Sequence, residues 1–449
     1  MRSVSGVRGI VGADLTDDVV RRYAAAFGAF VGRRPGVRVG IARDSRASGP
    51  AFVAAAADTL LAAGVDVVDL GMVPTPTAQL SVEELGLDGG IVVTASHNPV
   101  AWNALKFVGR GGRFLTRPEA DALFVLADGP APAPAARRGV RSRDAAAVSR
   151  HLERILGLRW LDVARIRGRR FRVALDCVRG AGATMMPALL DALGCEVRAI
   201  HLEPDGAFPR EPEPIPEHLG DLSALVREWG ADVGMAVDPD VDRLALVDGE
   251  GRAIGEDYTL AFAVRAVLAH ERGAVVTNLS TSLVVDDAAR VYGSMVERAP
   301  VGEANVVDRM VARGAVIGGE GNGGVILPAV HLGRDAPVAA ALTLSLLAGL
   351  EGVTVASVVN GGPRYVIVKA KLDRPSGALD SVYDALRARW PEADADVQDG
   401  LRLAWADRWI HVRPSGTEPV VRVIAEAPTG EGAGDLVEEG RRTLARPGG

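Results

Sequence analysis

One pattern occurs three times and confines this chain to a narrow set of folds. A short apolar strand, a turn, a helix and a second apolar strand follow one another as VRVGIA (37–42), AFVAAAADTLLAAG and VDVVDLG. They recur as FRVALD (171–176), GATMMPALLDALG and CEVRAI, and again as AVVTN (274–278), SLVVDDAARVYG and SMVERA. Strands that are apolar throughout, with no polar alternation, are buried on both faces, and the helices between them predict parallel βαβ units. A repeat spacing of a hundred residues or more signals duplicated domains; solenoid periods are far shorter.

A chain of 449 residues is also too long for one core. The Pro/Ala/Arg-rich DGPAPAPAARRGVRSRD (128–144) reads as a loop or linker, and DGEGRAIG (248–255) and NGGPRY (360–365) as turn clusters. These predict α/β domains over 1–147, 148–251 and 252–362, and a fourth over 363–449. In the last, YVIVKAKL, WIHV and VVRVIAEA outnumber a helix around 377–390 and a C-terminal amphipathic helix, which predicts a smaller α+β unit. The fold class expected is therefore α/β, with three similar domains of mixed, mainly parallel sheets and a C-terminal α+β domain.

With 51 basic against 57 acidic side chains and a net charge of −6, the chain is no general nucleic-acid binder. Two cysteines, Cys177 and Cys195, suit a reducing compartment better than a disulfide scaffold. No apolar stretch reads as a membrane span and the N-terminus lacks a signal-peptide core, so a cytoplasmic protein is expected, monomeric or a homodimer.

Four loops carry chemistry. GGIVVTASHNP ends a strand at Ser96, putting a hydroxyl at the carboxyl end where such sheets bind ligands. There is no Gly-x-Ser-x-Gly elbow, which disfavours an acyl-transfer hydrolase. Ten residues on stands Lys106, one of three lysines against 48 arginines. DVGMAVDPDVDRLALVDGEG (232–251) sets Asp238, Asp240 and Asp242 at every second position before Arg243. Three carboxylates so close repel unless a cation or protons neutralise them. An EF-hand is excluded, since Arg243 and Gly249 stand where Gly and Glu are needed. All-oxygen ligands point to a hard ion, Mg²⁺. IGGEGNGGVILP (317–328) sets Glu320 and Asn322 among five glycines, a composition for hydrogen-bonding sugar hydroxyls, with Gly321 allowing close approach. WIHVRPSGTEPVVRVIAEA (409–427) joins Arg413, Ser415, Gly416 and Thr417 into a phosphate cradle, without the Lys-Ser/Thr ending of a nucleotide P-loop. Together these describe phosphoryl transfer on a sugar phosphate with the enzyme itself as donor.

In these motifs and their order the chain resembles the α-D-phosphohexomutases, the superfamily of phosphoglucomutase, phosphomannomutase and phosphoglucosamine mutase. TASHNP resembles their phosphoserine loop, DPDVDR the metal loop, GEGNGG the sugar loop and RPSGTEP the phosphate loop, while SGVRG (5–9) and ARDSRAS (42–48) resemble two further cleft segments. The resemblance implies four domains around a central cleft. It implies a phosphorylated Ser96 that also ligates one Mg²⁺ with Asp238, Asp240 and Asp242, and a hexose 1,6-bisphosphate as intermediate and activator. Arg243, Arg8 and His97 become electrostatic or phosphate partners, Lys106 the general acid or base, and Arg422 joins the phosphate loop. Two departures stand out. The Ser-Gly-His that ends the phosphomannomutase sugar loop is here Asn322-Gly323-Gly324, which leaves His331 in PAVHLGRDA as a substitute acid/base; and NALK replaces Asn-Gly-x-Lys before Lys106. GEGNGG with RPSGTEP resembles the archaeal phosphoglucosamine mutases, so glucosamine 6-phosphate is the expected substrate, with mannose and glucose phosphates as the alternative. From another class, a metal-dependent sugar phosphatase is the rival; it would need His-rich metal ligation, and the chain holds seven histidines, none beside the aspartates.

Overall fold

The protein is described by a computed structural model, over residues 1–4, 6–32, 34, 36–130, 135–349, 352–374, 379–415 and 420–445. All three repeats fold as read. Arg38–Arg43 pairs in parallel with Asp66–Met72 and with Gly89–Val93, across helix Gly49–Ala62. Arg172–Asp176 lies parallel between Glu196–Ile200 and Val233–Val237, and Val275–Asn278 lies parallel between Val296–Ala299 and Ile317–Glu320. Each sheet also carries antiparallel strands: Trp102–Val108 beside Gly89–Val93, Leu244–Asp248 beside Val233–Val237, and Gly324–Ile326 beside Ile317–Glu320. The sheets are thus mixed, as expected.

The 128–144 stretch needs a correction. Arg141–Arg143 forms a strand parallel to Asp66–Met72, closing the edge of the first sheet. All three of its side chains are exposed, so no apolar pattern marks it. A charged edge strand of this kind discourages pairing with another chain.

The second and third repeats share one continuous core, joined by helix Ala336–Gly349. That helix is apolar on every side and almost wholly buried, which is how a helix between packed layers must read. The C-terminal unit is an all-antiparallel sheet of Val366–Asp373, Val420–Ala427, Trp409–Pro414, Leu401–Ala404 and Asp394–Asp396, backed by helices Asp380–Arg389 and Gly430–Ala445. Among the described residues no helix is long and apolar enough to cross a membrane.

The parallel strands aim their carboxyl ends at one region. The loops that leave them are 44–48, 94–101, 238–243 and 321–323, all of which sequence had marked. This is the crevice that open α/β sheets offer to ligands.

Candidate active site

Ser96 follows the strand Gly89–Val93 and sits in the left-handed region at φ +50°. An L-residue is strained there, and the surroundings must over-determine it. They do so through Thr94, whose Oγ1 accepts from the Ser96 N–H at 2.9 Å and donates to Asp44 at 2.6 Å. Arg46 completes the hold. Its fully buried guanidinium donates to the carbonyls of Ser96, Asn98, Pro99 and Trp102 at 2.6–2.8 Å and pairs with Asp44 at 3.1 Å.

The Ser96 hydroxyl donates to Asp238 Oδ2 at 2.8 Å. Asp238 Oδ1 accepts the backbone N–H groups of Asp242 and Arg243, folding the loop back on itself around Val241 at φ +65°. A β-branched residue there is a true outlier, a second point of strain at the same site. Asp240 Oδ2 accepts from Thr75 at 2.8 Å and from Lys106 at 2.7 Å. Lys106 also stands 3.6 Å from Asp242, and Arg334 donates to Asp242 at 2.6 Å.

These contacts set the charges. Burial and the two neighbouring carboxylates push Asp238 well above the usual carboxylate range. Burial also opposes ionisation of Asp240, but Lys106 outweighs it and keeps that carboxylate charged. For Lys106 itself burial works downward, and Asp240 and Asp242 carry the pKa above the ordinary lysine value. The ammonium therefore stays charged and pairs with both carboxylates.

The cluster fits a cation. One oxygen from each aspartate lies within 4.8 Å of the others, and Asp240 Oδ1 and Asp242 Oδ1 are buried acceptors without a hydrogen bond. Such orphaned lone pairs are costly unless something positive meets them. In a second cluster, His151, His331 and Asp335, both carboxylate oxygens are engaged: Asp335 Oδ2 accepts from His151 at 2.7 Å and His331 at 2.9 Å, and Asp335 Oδ1 accepts from Val338 at the start of helix Ala336–Gly349, while His331 Nδ1 makes no hydrogen bond. His331 is thus committed to this helix cap, 3% exposed, and bonds to neither Ser96, Lys106 nor the three aspartates.

Around Ser96 the remaining groups are basic. Arg8 donates to Asn98 at 3.1 Å, and burial followed by Arg243 lowers its pKa. His97 Nδ1 lies 3.3 Å from Ser96 Oγ; burial and then Arg243 push this imidazole well below its usual pKa, so it is neutral. Arg243 pairs with Glu213 at 2.9 Å, while its buried Nε has no acceptor.

The sugar loop is braced against the metal loop. Gly323, at φ +86°, accepts from the Leu244 N–H, and a Cβ there would meet the Leu244 carbonyl at 2.4 Å. Only glycine fits. Glu320 lies buried, accepting from Asn278 at 2.9 Å, the Gly302 N–H at 3.0 Å and Arg334 at 2.8 Å. Asn322 is half-buried and caps Gly324 N–H, with Gly321 half-buried beside it. Arg334, also bound to Glu303 at 3.0 Å, ties sugar loop to metal loop. Sequence noted it only as a neighbour of His331.

In the C-terminal unit Gly416 and Thr417 lie outside the described residues, as does Ser5 of the first segment. Arg413 is held by Asp399 at 2.8 Å, and the Ser415 N–H donates to the Val420 carbonyl. Strand register places Arg413, Arg422 and Lys371 side by side across three strands. Their neighbours Val412, Val421 and Leu372 face the helices, so all three bases share the opposite face. Lys371 escaped the sequence reading because the signal is a cross-strand register.

Comparison with known proteins agrees with this arrangement. Residues 2–132, 149–251 and 255–365 match the phosphoglucomutase/phosphomannomutase alpha/beta/alpha domains I, II and III, and residues 368–442 match the C-terminal domain of the same family. A probable phosphoglucosamine mutase of Methanopyrus kandleri is 38% identical, covering 97% of this chain and 95% of its own. A phosphoglucomutase/phosphomannomutase of Thermococcus kodakarensis is 35% identical, covering 98% and 97%. Among solved structures, a phosphoglucomutase/phosphomannomutase family protein of Burkholderia thailandensis superposes with a TM-score of 0.85 at 30% identity, over 99% of this chain and 98% of that one. The serine, the acidic loop and the four-part architecture thus occur in the setting their chemistry suggested: the chain belongs to the phosphoglucomutase/phosphomannomutase family.

Proposed function

We propose that the protein is a phosphohexose mutase, an isomerase that moves phosphate between O6 and O1 of a hexose phosphate, with glucosamine 6-phosphate as its preferred substrate. The observation that carries this reading is the 2.8 Å contact between Ser96 Oγ and Asp238, which joins a strained serine to an acidic loop with orphaned oxygens. Ser96 holds the phosphoryl group at rest. A sugar hydroxyl attacks it, so that a sugar O–P bond forms as the Ser96 Oγ–P bond breaks. The resulting hexose 1,6-bisphosphate turns in the cleft and returns its other phosphoryl group to Ser96. A trace of the same bisphosphate primes enzyme that has lost its phosphate.

Arg8 and Arg243 balance charge on the transferring group, with neutral His97 as a hydrogen-bonding partner. Lys106, rather than the capped His331, delivers a proton to the departing sugar oxygen. Glu320, Gly321 and Asn322 meet the sugar hydroxyls, which requires Glu320 to share its oxygens with Arg334. Arg413, Ser415, Arg422 and the Gly416-Thr417 turn grip the phosphate that is not reacting. One Mg²⁺ held by Ser96 Oγ, Asp238, Asp240 and Asp242 would supply a Lewis acid for the phosphoryl oxygens.

The amino-sugar preference is supported by the name of the Methanopyrus kandleri relative. The Thermococcus kodakarensis relative, named for glucose and mannose phosphates, favours the second reading. A mutase assay with Mg²⁺ and a trace of hexose 1,6-bisphosphate separates them. The largest kcat/KM among glucosamine, glucose and mannose phosphates names the substrate, and Ser96→Ala should fall to background. Release of free phosphate in place of the isomeric sugar phosphate would put the phosphatase ahead.

A further inference from the structure

A strap of the second domain, residues 201–215, crosses to the serine loop of the first, and neither the motifs nor the family match gives it a role. Its attachments are specific. Gly206, at φ +74°, lies so close to the first domain that a Cβ would meet the Ser45 carbonyl at 2.6 Å. Phe208 lies under the Arg46 guanidinium, 4.8 Å from ring centre to carbon. Arg210 donates to Asp176 at 2.6 Å and to the Val237 carbonyl at 2.9 Å, one residue before Asp238. Past these anchors the strap presents Glu213. Its carboxylate accepts from Arg243 at 2.9 Å and stands 3.9 Å from His97 Nε2.

This pair differs from the other ion pairs at the site. Asp44–Arg46 and Lys106–Asp240 are buried on both sides, whereas Glu213 is 40% exposed. A carboxylate already in contact with water loses little when its partner leaves. Arg243, by contrast, is nine-tenths buried, and its Nε is a donor with no acceptor. Arg8 beside it meets no carboxylate among the described residues. Arg8 on the serine loop, through Asn98, and Arg243 next to Asp242, whose Oδ1 lies 3.8 Å from the unbonded Nε, thus flank the Ser96–Asp238 contact. A phosphoryl group on Ser96 would bring nearly two negative charges and three acceptor oxygens into that space.

We propose that Glu213 is a latch: it holds Arg243 while Ser96 is unphosphorylated and yields it to the phosphoryl group once Ser96 is phosphorylated. Glu213 is thus a positioning residue that competes with phosphate for one guanidinium. The inference rests on the phosphoserine reading above. It concerns the priming step, in which hexose 1,6-bisphosphate gives a phosphoryl group to Ser96 Oγ. There the Oγ–P bond forms, the sugar O–P bond breaks, and the serine proton ends on the departing sugar oxygen. Because Gly206, Phe208 and Arg210 anchor the strap independently, release of Glu213 leaves the strap docked.

Glu213→Gln keeps the shape and removes the charge. The full-length enzyme with Mg²⁺ is titrated with glucose 1,6-bisphosphate, and phosphate on the Ser96 peptide is read by mass spectrometry. With the competitor gone, half-maximal phosphorylation should need about two- to fivefold less bisphosphate, the range of a partly exposed ion pair. An unchanged or higher requirement, accompanied by a raised KM for the hexose phosphate, would mean that Glu213 merely supports the loop and would overturn the latch. Wild-type enzyme that takes up no phosphate at Ser96 overturns the mutase reading itself, a distinguishable failure. Should the variant not fold, hydrogen exchange on the wild type decides. Residues 211–215 should exchange faster in the phosphorylated enzyme than in the unphosphorylated one, while 206–210 stay constant. Equal rates at 211–215 sink the proposal.

Discussion

Arg46 directs its side-chain donors at five acceptors, three of them carbonyls of the serine loop and a fourth the Trp102 carbonyl where the next strand begins. No shorter or non-planar cation can reproduce that fork. Arg46→Ala leaves Asp44 buried and alone, and burial already raises the pKa of that carboxyl. Unfolding in urea should show a loss of about 3–5 kcal/mol. Arg46→Lys, which keeps the charge, should recover little of the activity. A variant of normal stability and full turnover would mean that Ser96 holds its conformation unaided. Lys106 gives a prediction of a different kind. It occupies the side of Asp240 that a cation would otherwise share, so Lys106→Met should tighten Mg²⁺ binding by roughly tenfold while kcat falls by about 10²–10⁴. Calorimetric titration with Mg²⁺ reads the first effect; weaker binding in the variant would show that the ammonium assists the metal. Ser96, Lys106 and the three aspartates were legible because each motif concentrates its chemistry in a few consecutive residues. Arg46 lay within a segment marked by resemblance, but its task was invisible, because its partners are carbonyls fifty residues away. The tasks of Glu213 and Arg334 were hidden likewise, because their partners are charged side chains on other segments of the chain.

At the scale of elements, continuous apolar strands were the readable signal, and they marked all three repeats. Strands without that signal were missed: Arg141–Arg143 is wholly exposed, and Asp394–Asp396 shows no buried side chain. Both lie at sheet edges, where pairing comes from backbone hydrogen bonds and side chains carry no pattern. Helix Ala336–Gly349 shows how an element is fixed by its end. Asp335 caps it through the Val338 N–H and accepts from both His151 and His331. Burial alone would raise the Asp335 pKa, but the two imidazoles outweigh it and hold the carboxyl well below its usual range. A carboxyl depressed in the folded state contributes stability above its unfolded value and loses it as pH falls toward the folded one. Asp335→Asn should therefore be less stable than wild type by about 1.5–3 kcal/mol near neutrality. The difference should shrink as pH drops below about 4. Chemical denaturation across pH checks this, and a difference that stays constant into acid would place the stabilisation elsewhere.

At the scale of the whole molecule, the acidic loop is where the domains meet. Ser96, Thr75 and Lys106 reach it from the first domain, Asp238, Asp240 and Asp242 belong to the second, and Arg334 comes from the third. Without an ion this junction is poorly compensated. Burial and its like-charged neighbours push the Asp238 pKa up, and two aspartate oxygens make no hydrogen bond. A divalent cation bound there would favour the ionised form of Asp238 and satisfy those oxygens, and so would stabilise the contact between domains along with the site. Two consequences follow from linkage. Mg²⁺ affinity should rise with pH as Asp238 becomes easier to deprotonate. Mg²⁺ at a hundred times its dissociation constant should also stabilise the folded protein by about 2.7 kcal/mol, visible as a higher thermal midpoint that EDTA reverses. Asp240→Asn should abolish the Mg²⁺ response and leave Lys106 without its nearest counter-charge, so this variant should melt at one temperature with or without the ion. If wild type and Asp240→Asn respond to Mg²⁺ alike, the ion acts elsewhere on the surface, and the junction is held by Lys106 and Arg334 alone.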